Sequence, residues 1–83
     1  MYILVATESG GVYASRDQNR KKVVQIFVEE DDATRYLGML DAEGFQEDLE
    51  VTEVDITVVV ANCKKYGYNY CIVEPNQLVI PPS

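Results

Sequence analysis

The chain has no histidine, no tryptophan and only two cysteines in its 83 residues. Without histidine it cannot assemble a Ser–His or Cys–His nucleophile from its own side chains. A closed zinc site wants four cysteine or histidine ligands, and Cys63 and Cys71 have no second pair, so no metal or cofactor ligands are assigned. Two thiols are also too few for a disulfide framework. Cys63 reads as a core residue, with a disulfide to Cys71 as the alternative. Basic residues are scarce: 7 Lys and Arg stand against 14 Asp and Glu, for a net charge of −7. Phosphate backbones demand a surplus of Lys and Arg, so no nucleic-acid partner is expected. Anionic membrane surfaces are disfavoured on the same ground. No apolar run approaches the roughly 20 residues of a membrane helix, so no membrane insertion is expected. The apolar opening, Met1 to Thr7, has no basic stretch before it and is cut by Glu8. It does not read as a targeting segment, and a cytoplasmic location is expected.

What is present is the composition of one folded domain. Hydrophobic residues make up 47% and charged residues 25%, a globular balance rather than a disordered one. The length suits a single domain over residues 1–83 with a modest core. Tyr2 to Thr7 reads as a buried strand, Glu8 to Gly11 as a turn, and Val12 to Ser15 as a short return strand. After a polar loop, Lys22 to Val28 is the clearest strand. The first third therefore reads as an antiparallel meander. A helix follows, with Asp31 or Asp32 as its cap and Ala33, Tyr36, Leu37 and Leu40 on one apolar face. Gly44 ends it, and Phe45 is expected to fold back onto the core. A short strand is expected near Leu49–Thr52. Residues 55–66 have strand composition but helical spacing, an Asp55 cap and a Lys64-Lys65-Tyr66-Gly67 ending, which favours helix. Tyr68 to Val73 is a strand, Glu74 to Gln77 a turn, and Leu78 to Ile80 a last strand before Pro81-Pro82. The expected fold is α+β, in the order β-β-β-α-β-α-β-β. Its two helices are expected on one face of a mixed, mainly antiparallel sheet.

Several of these segments together resemble a known family. Phe27-Val28-Glu29-Glu30-Asp31-Asp32-Ala33-Thr34-Arg35-Tyr36, with Leu40 and Gly44-Phe45, matches its acidic helix start after a hydrophobic strand. Cys63, Gly67-Tyr68, the strand from Tyr70 to Val73 and Pro81-Pro82 match its later features in order. Gly11-Val12-Tyr13 fits its N-terminal hairpin. The chain resembles the small cyanobacterial and plastid family called domain of unknown function 3110. The resemblance covers most of the chain. One segment departs: the family's second helix is usually acidic near its start, whereas here Asp55 precedes Ile56-Thr57-Val58-Val59-Val60. The resemblance implies an oxygenic phototroph and supplies no catalytic residues.

The residues most uneven in distribution are the charged ones and the tyrosines. Between Glu29 and Asp55 lie 11 of the 14 carboxylates and one basic residue, Arg35. The span reads as a solvated, helix-capping surface, as a docking surface for a basic partner, or as a divalent-metal site, for which it lacks the spacing of a calcium loop. Arg16, Arg20, Lys21 and Lys22 form a cluster of opposite sign. It suits a soluble loop, a phosphate, an acidic partner, or the acidic span of a second copy in a homodimer. Tyr66, Tyr68 and Tyr70 lie close together, and Tyr68 and Tyr70 share a strand face with Ile72. Tyrosine serves a half-buried sheet edge and a binding interface alike. The function expected is non-enzymatic: an adaptor, assembly or regulatory protein of a cyanobacterium, binding an unidentified, basic or photosynthetic protein partner. Glu29, Glu30, Asp31, Asp32, Arg35, Tyr36, Tyr68 and Tyr70 are its candidate contact residues. The alternative is a small-molecule or metal-ion sensor. A deep pocket with converging polar groups would favour the sensor; an exposed apolar patch rimmed by Asp and Glu would favour the adaptor.

Overall fold

The computed structural model describes residues 1–16 and 18–75. The elements run β1 (Tyr2–Ala6), β2 (Ala14–Arg16), β3 (Lys22–Phe27), α1 (Glu30–Ala42), β4 (Leu49–Glu53), α2 (Ile56–Tyr66) and β5 (Asn69–Val73). The α+β class and this order are those expected from the sequence. The expected strand at Leu78–Ile80 lies outside the described residues. The five strands of the described residues join one sheet. β1 pairs antiparallel with β4 along its length, and β3 pairs parallel with β5 from Val23↔Asn69 to Phe27↔Val73. Since β5 occupies one whole edge of β3, β2 and β1 share the other. β2 pairs at residues 22–24 of β3, and β1 at Phe27 opposite Tyr2. A single bridge, Val5↔Val12, joins the hairpin arms. The expected meander is corrected: the three strands are antiparallel neighbours, but β3 lies between β2 and β1 in the sheet order, and β2 forms its ladder with β3.

The helices do not share a face, and the expectation of a one-sided layer is corrected. Leu4, Phe27 and Val73 pack with Ala33, Tyr36 and Leu40 of α1. Ile3, Val24 and Ile26 pack with Val59 and Cys63 of α2 on the reverse side. Successive strand residues point to opposite faces, so a continuous apolar run such as Tyr2 to Ala6 loads both. A sheet apolar on both faces needs two covers. Topology gives the same answer. The chain crosses from β3 to β4 by α1, then back across the sheet from β4 to β5 by α2. Crossovers between parallel strands strongly prefer one hand, and two of one hand running in opposite directions lie on opposite faces.

Local chemistry sets the helix ends. α1 starts earlier than the acidic run suggested: Glu29 is the N-cap and makes no side-chain capping bond. Neither Asp31 nor Asp32 caps. With Glu30 they fill the first turn instead, where three carboxylates meet the positive end of the helix dipole. At the other end Gly44 has φ +84. The Gly44 N–H donates to the Asp41 carbonyl at 3.1 Å and the Phe45 N–H to the Leu40 carbonyl at 3.0 Å, a Schellman closure. Phe45 then packs edge-on against Tyr13, with ring centroids 5.5 Å apart. α2 is helical, as its spacing favoured. The Asp55 carboxylate accepts from the Thr57 N–H at 2.8 Å. Gly67, at φ +73, ends it, and the Tyr68 N–H returns to the Cys63 carbonyl at 2.8 Å.

Candidate functional site

The two sides of the sheet differ in how completely they are covered. On the α1 side Tyr36 fills the centre, 1% exposed. Its ring lies 5.4 Å from Phe27 and 5.8 Å from Tyr13, and the Tyr13 and Tyr36 hydroxyls meet at 3.2 Å. Burial pushes its phenol pKa well up, aided by that hydrogen bond. Tyr36 was a candidate contact residue; it is core, and it offers a partner no surface.

The acidic candidates stand at the start of α1. Glu29, Glu30 and Asp31 are exposed. Asp32 is nearly buried at 10% side-chain exposure and pairs with the 64%-exposed Arg35 at 3.3 Å. This i,i+3 pair is a local surface contact worth at most about 1 kcal/mol. The Tyr2 hydroxyl donates to Glu53 at 3.3 Å. Its pKa is raised by Glu53 above all, with smaller contributions from burial, Glu30 and Glu29. That shift registers an acidic corner shared by α1 and β4. Among the described residues no group of three or more Cys, Asp or Glu is arranged to hold a metal ion.

The α2 side is different. Among the described residues the exposed large hydrophobics are Val12, Val58, Tyr66, Tyr68 and Tyr70, and all five stand on this side. Val12 is opposite Val5, and Tyr70 is opposite Val24, both partners facing α2. Tyr68 follows by alternation. Val58 and Tyr66 flank a groove of about 770 Å³ that runs between α2, the β1–β2 turn and the start of β3. Its floor is Ile3, Val24, Val59 and Cys63, and its polar groups are few: Lys22, Asp55 and Asn62. The Asp55 carboxylate is engaged in the helix cap. Burial raises the Cys63 thiol pKa, which keeps it neutral. Cys71 is exposed and, next to Ile72 on β5, points to the α1 side. The sheet therefore separates the two thiols.

The rim of the groove is basic. The Lys22 ammonium sits 5.5 Å from the centre of the Tyr68 ring, and that of Lys65 5.5 Å from the Tyr66 ring, cation–π distances. Arg16 is the cross-strand partner of Lys22 and so shares its face. The structure thus shows an exposed apolar surface bordered by Arg16, Lys22 and Lys65, with Asp55 as the one carboxylate among the described residues of the groove's lining. Of the candidate contact residues, Tyr68 and Tyr70 belong to it, while the acidic group lies on the other side of the sheet. Sequence reasoning missed Val12 and Val58; Lys22 it named only as a member of the basic cluster with Arg16, Arg20 and Lys21. Val58 carried a signal: it lies off the Ile56, Val59, Val60, Cys63 stripe, an apolar residue where a solvated helix face would be polar.

The model of the family described as Domain of unknown function (DUF3110) matches residues 1–83. The chain belongs to this family. No curated protein and no solved structure matches it. Membership in the DUF3110 family brings no assigned chemistry, so the groove has to be read from its own residues. Among the described residues no helix is long and apolar enough to cross a membrane.

Proposed function

We propose that this DUF3110 domain is a non-enzymatic protein-interaction module that engages its partner on the α2 side. The observation that carries the reading is the one-sided placement of the exposed apolar side chains. Scattered surface hydrophobics are ordinary. Four of them, two being tyrosines, line one groove, and Tyr70 stands on the same face, the composition of an interface centre. The acidic corner of α1 has no such anchors and serves as the solvated side that keeps the domain soluble. A cytoplasmic site of action in an oxygenic phototroph is part of the proposal, resting on composition and on the family resemblance.

The substitution Val58→Glu tests it cleanly. Position 58 is 56% exposed and is the third helical residue after the Asp55 cap, where a carboxylate favours the helix dipole. The variant should fold as well as the wild type. Affinity purification from the source cell should recover a stoichiometric partner with the wild-type chain and with Glu30→Lys, but not with Val58→Glu. Equal recovery with Val58→Glu, or loss with Glu30→Lys alone, would overturn the reading. A second reading has one observation in its favour: about 770 Å³ falls within the range of small-molecule sites. A ligand for such a groove would be mostly apolar, and it would raise the melting temperature of the wild type and not of Val58→Glu.

A further inference from the structure

The basic rim narrows the partner. We infer that the α2-side groove takes an acidic segment of another protein, its apolar side chains seated on Val58, Tyr66 and Tyr68 and its carboxylates meeting Arg16, Lys22 and Lys65. The inference rests on the interaction reading above and adds the charge of the partner.

Two independent observations support it. The first is complementarity. In a chain of net charge −7, the groove is bordered by cations: Lys22 lies in its wall, and Lys65 lies over the wall residue Tyr66. Asp55, the carboxylate that lines it, is turned into the helix cap. Opposed potentials steer association and fix orientation. The second is a local conflict. Arg16 and Lys22 are directly paired across β2 and β3, and like charges so placed are destabilising. Among the described residues neither lies within ion-pair distance of a carboxylate. A sheet optimised for its own stability would place opposite charges there. An anionic segment lying across the pair removes the repulsion on binding. The same argument disfavours a two-fold dimer through this groove, which would bring two basic rims together.

The test is selection of random 16-residue peptides displayed on phage against the immobilised full chain, followed by binding measurements on synthetic copies. Selected peptides should be net acidic with aromatic or aliphatic anchors. Their affinity should fall at least tenfold with Lys22→Glu, and fall again as salt rises. Lys22→Glu creates an opposite-charge pair with Arg16, so its melting temperature should hold or rise, which separates lost binding from lost folding. Peptides that are neutral or basic, or binding lost with Val58→Glu but unchanged by Lys22→Glu, would overturn the acidic-partner inference and leave the interaction reading standing. No peptide sensitive to Val58→Glu would overturn both. A dimer in sedimentation that Val58→Glu dissociates would make the occupant a second copy and overturn the inference.

Discussion

Val58 and Val59 are chemically identical neighbours, and the structure predicts opposite consequences for their truncation. Val59 is 9% exposed, while Val58 is 56% exposed on the groove wall. Val59→Ala removes two methyl groups from the cluster of Ile3, Val24, Ile26 and Cys63. At about 0.8 kcal/mol per buried carbon, plus a term for the space left behind, the loss is about 2 kcal/mol. For a domain of this size that lowers the melting temperature by roughly 8–16 °C. Val58→Ala gives up contacts that water already shares. It also replaces a β-branched residue by the best helix former, a gain of about 0.5 kcal/mol. The net change should stay within about 0.5 kcal/mol of zero. Urea unfolding followed by circular dichroism measures both. Equal losses for the two variants would refute the assigned face of α2. A loss above about 1 kcal/mol for Val58→Ala would refute the open groove.

Three further outcomes follow from the same structure. Gly38 lies in the interior of α1 with open space where a Cβ would stand, whereas Gly67 holds φ +73; Gly38→Ala should raise stability by about 0.5–1 kcal/mol and Gly67→Ala lower it by about 1 kcal/mol, read by urea unfolding. The Tyr36 phenol is held above its ordinary pKa by burial, so its contribution is complete below about pH 10, where the unfolded phenol is still protonated, and is lost as pH climbs toward the raised folded value. Unfolding free energy should fall above pH 10, and less steeply in Tyr36→Phe. Cys71 should react with a thiol reagent in the native chain and Cys63 only on unfolding, and mild oxidation should leave no intramolecular disulfide by mass spectrometry.

Much of the fold is written in local signals. The Asp55 cap, the glycines at 44 and 67 and the i, i+3, i+4 apolar spacings all mark helix ends and faces that the structure shows. The layering is legible too, but in the strands rather than the helices. Tyr2 to Ala6 is apolar at every position, and a strand that alternates into a run of that kind has two buried faces. Counting helical stripes alone led to one layer, because a stripe says that a helix is covered and not by which side of the sheet. The start of α1 was misplaced because four successive acids make the cap ambiguous: any of them suits the dipole, and the backbone chose the first. The groove was the least legible feature. It assembles Val12, Lys22, Val58, Tyr66 and Tyr68 from four separate segments, and no spacing within one segment announces it. The charge layout, by contrast, drew attention to the acidic span because it is long in sequence. In space the apolar residues lie elsewhere, beside the smaller basic cluster.

Photo-crosslinking inside the source cell tests the central claim most directly. A benzophenone amino acid placed at position 58, on the groove, should yield a covalent adduct of one defined mass with a partner protein. The same probe at Thr34, exposed on α1, should yield none. An adduct from position 34 and not from position 58, or none from either, would contradict the assignment of the α2-side groove as the interaction site.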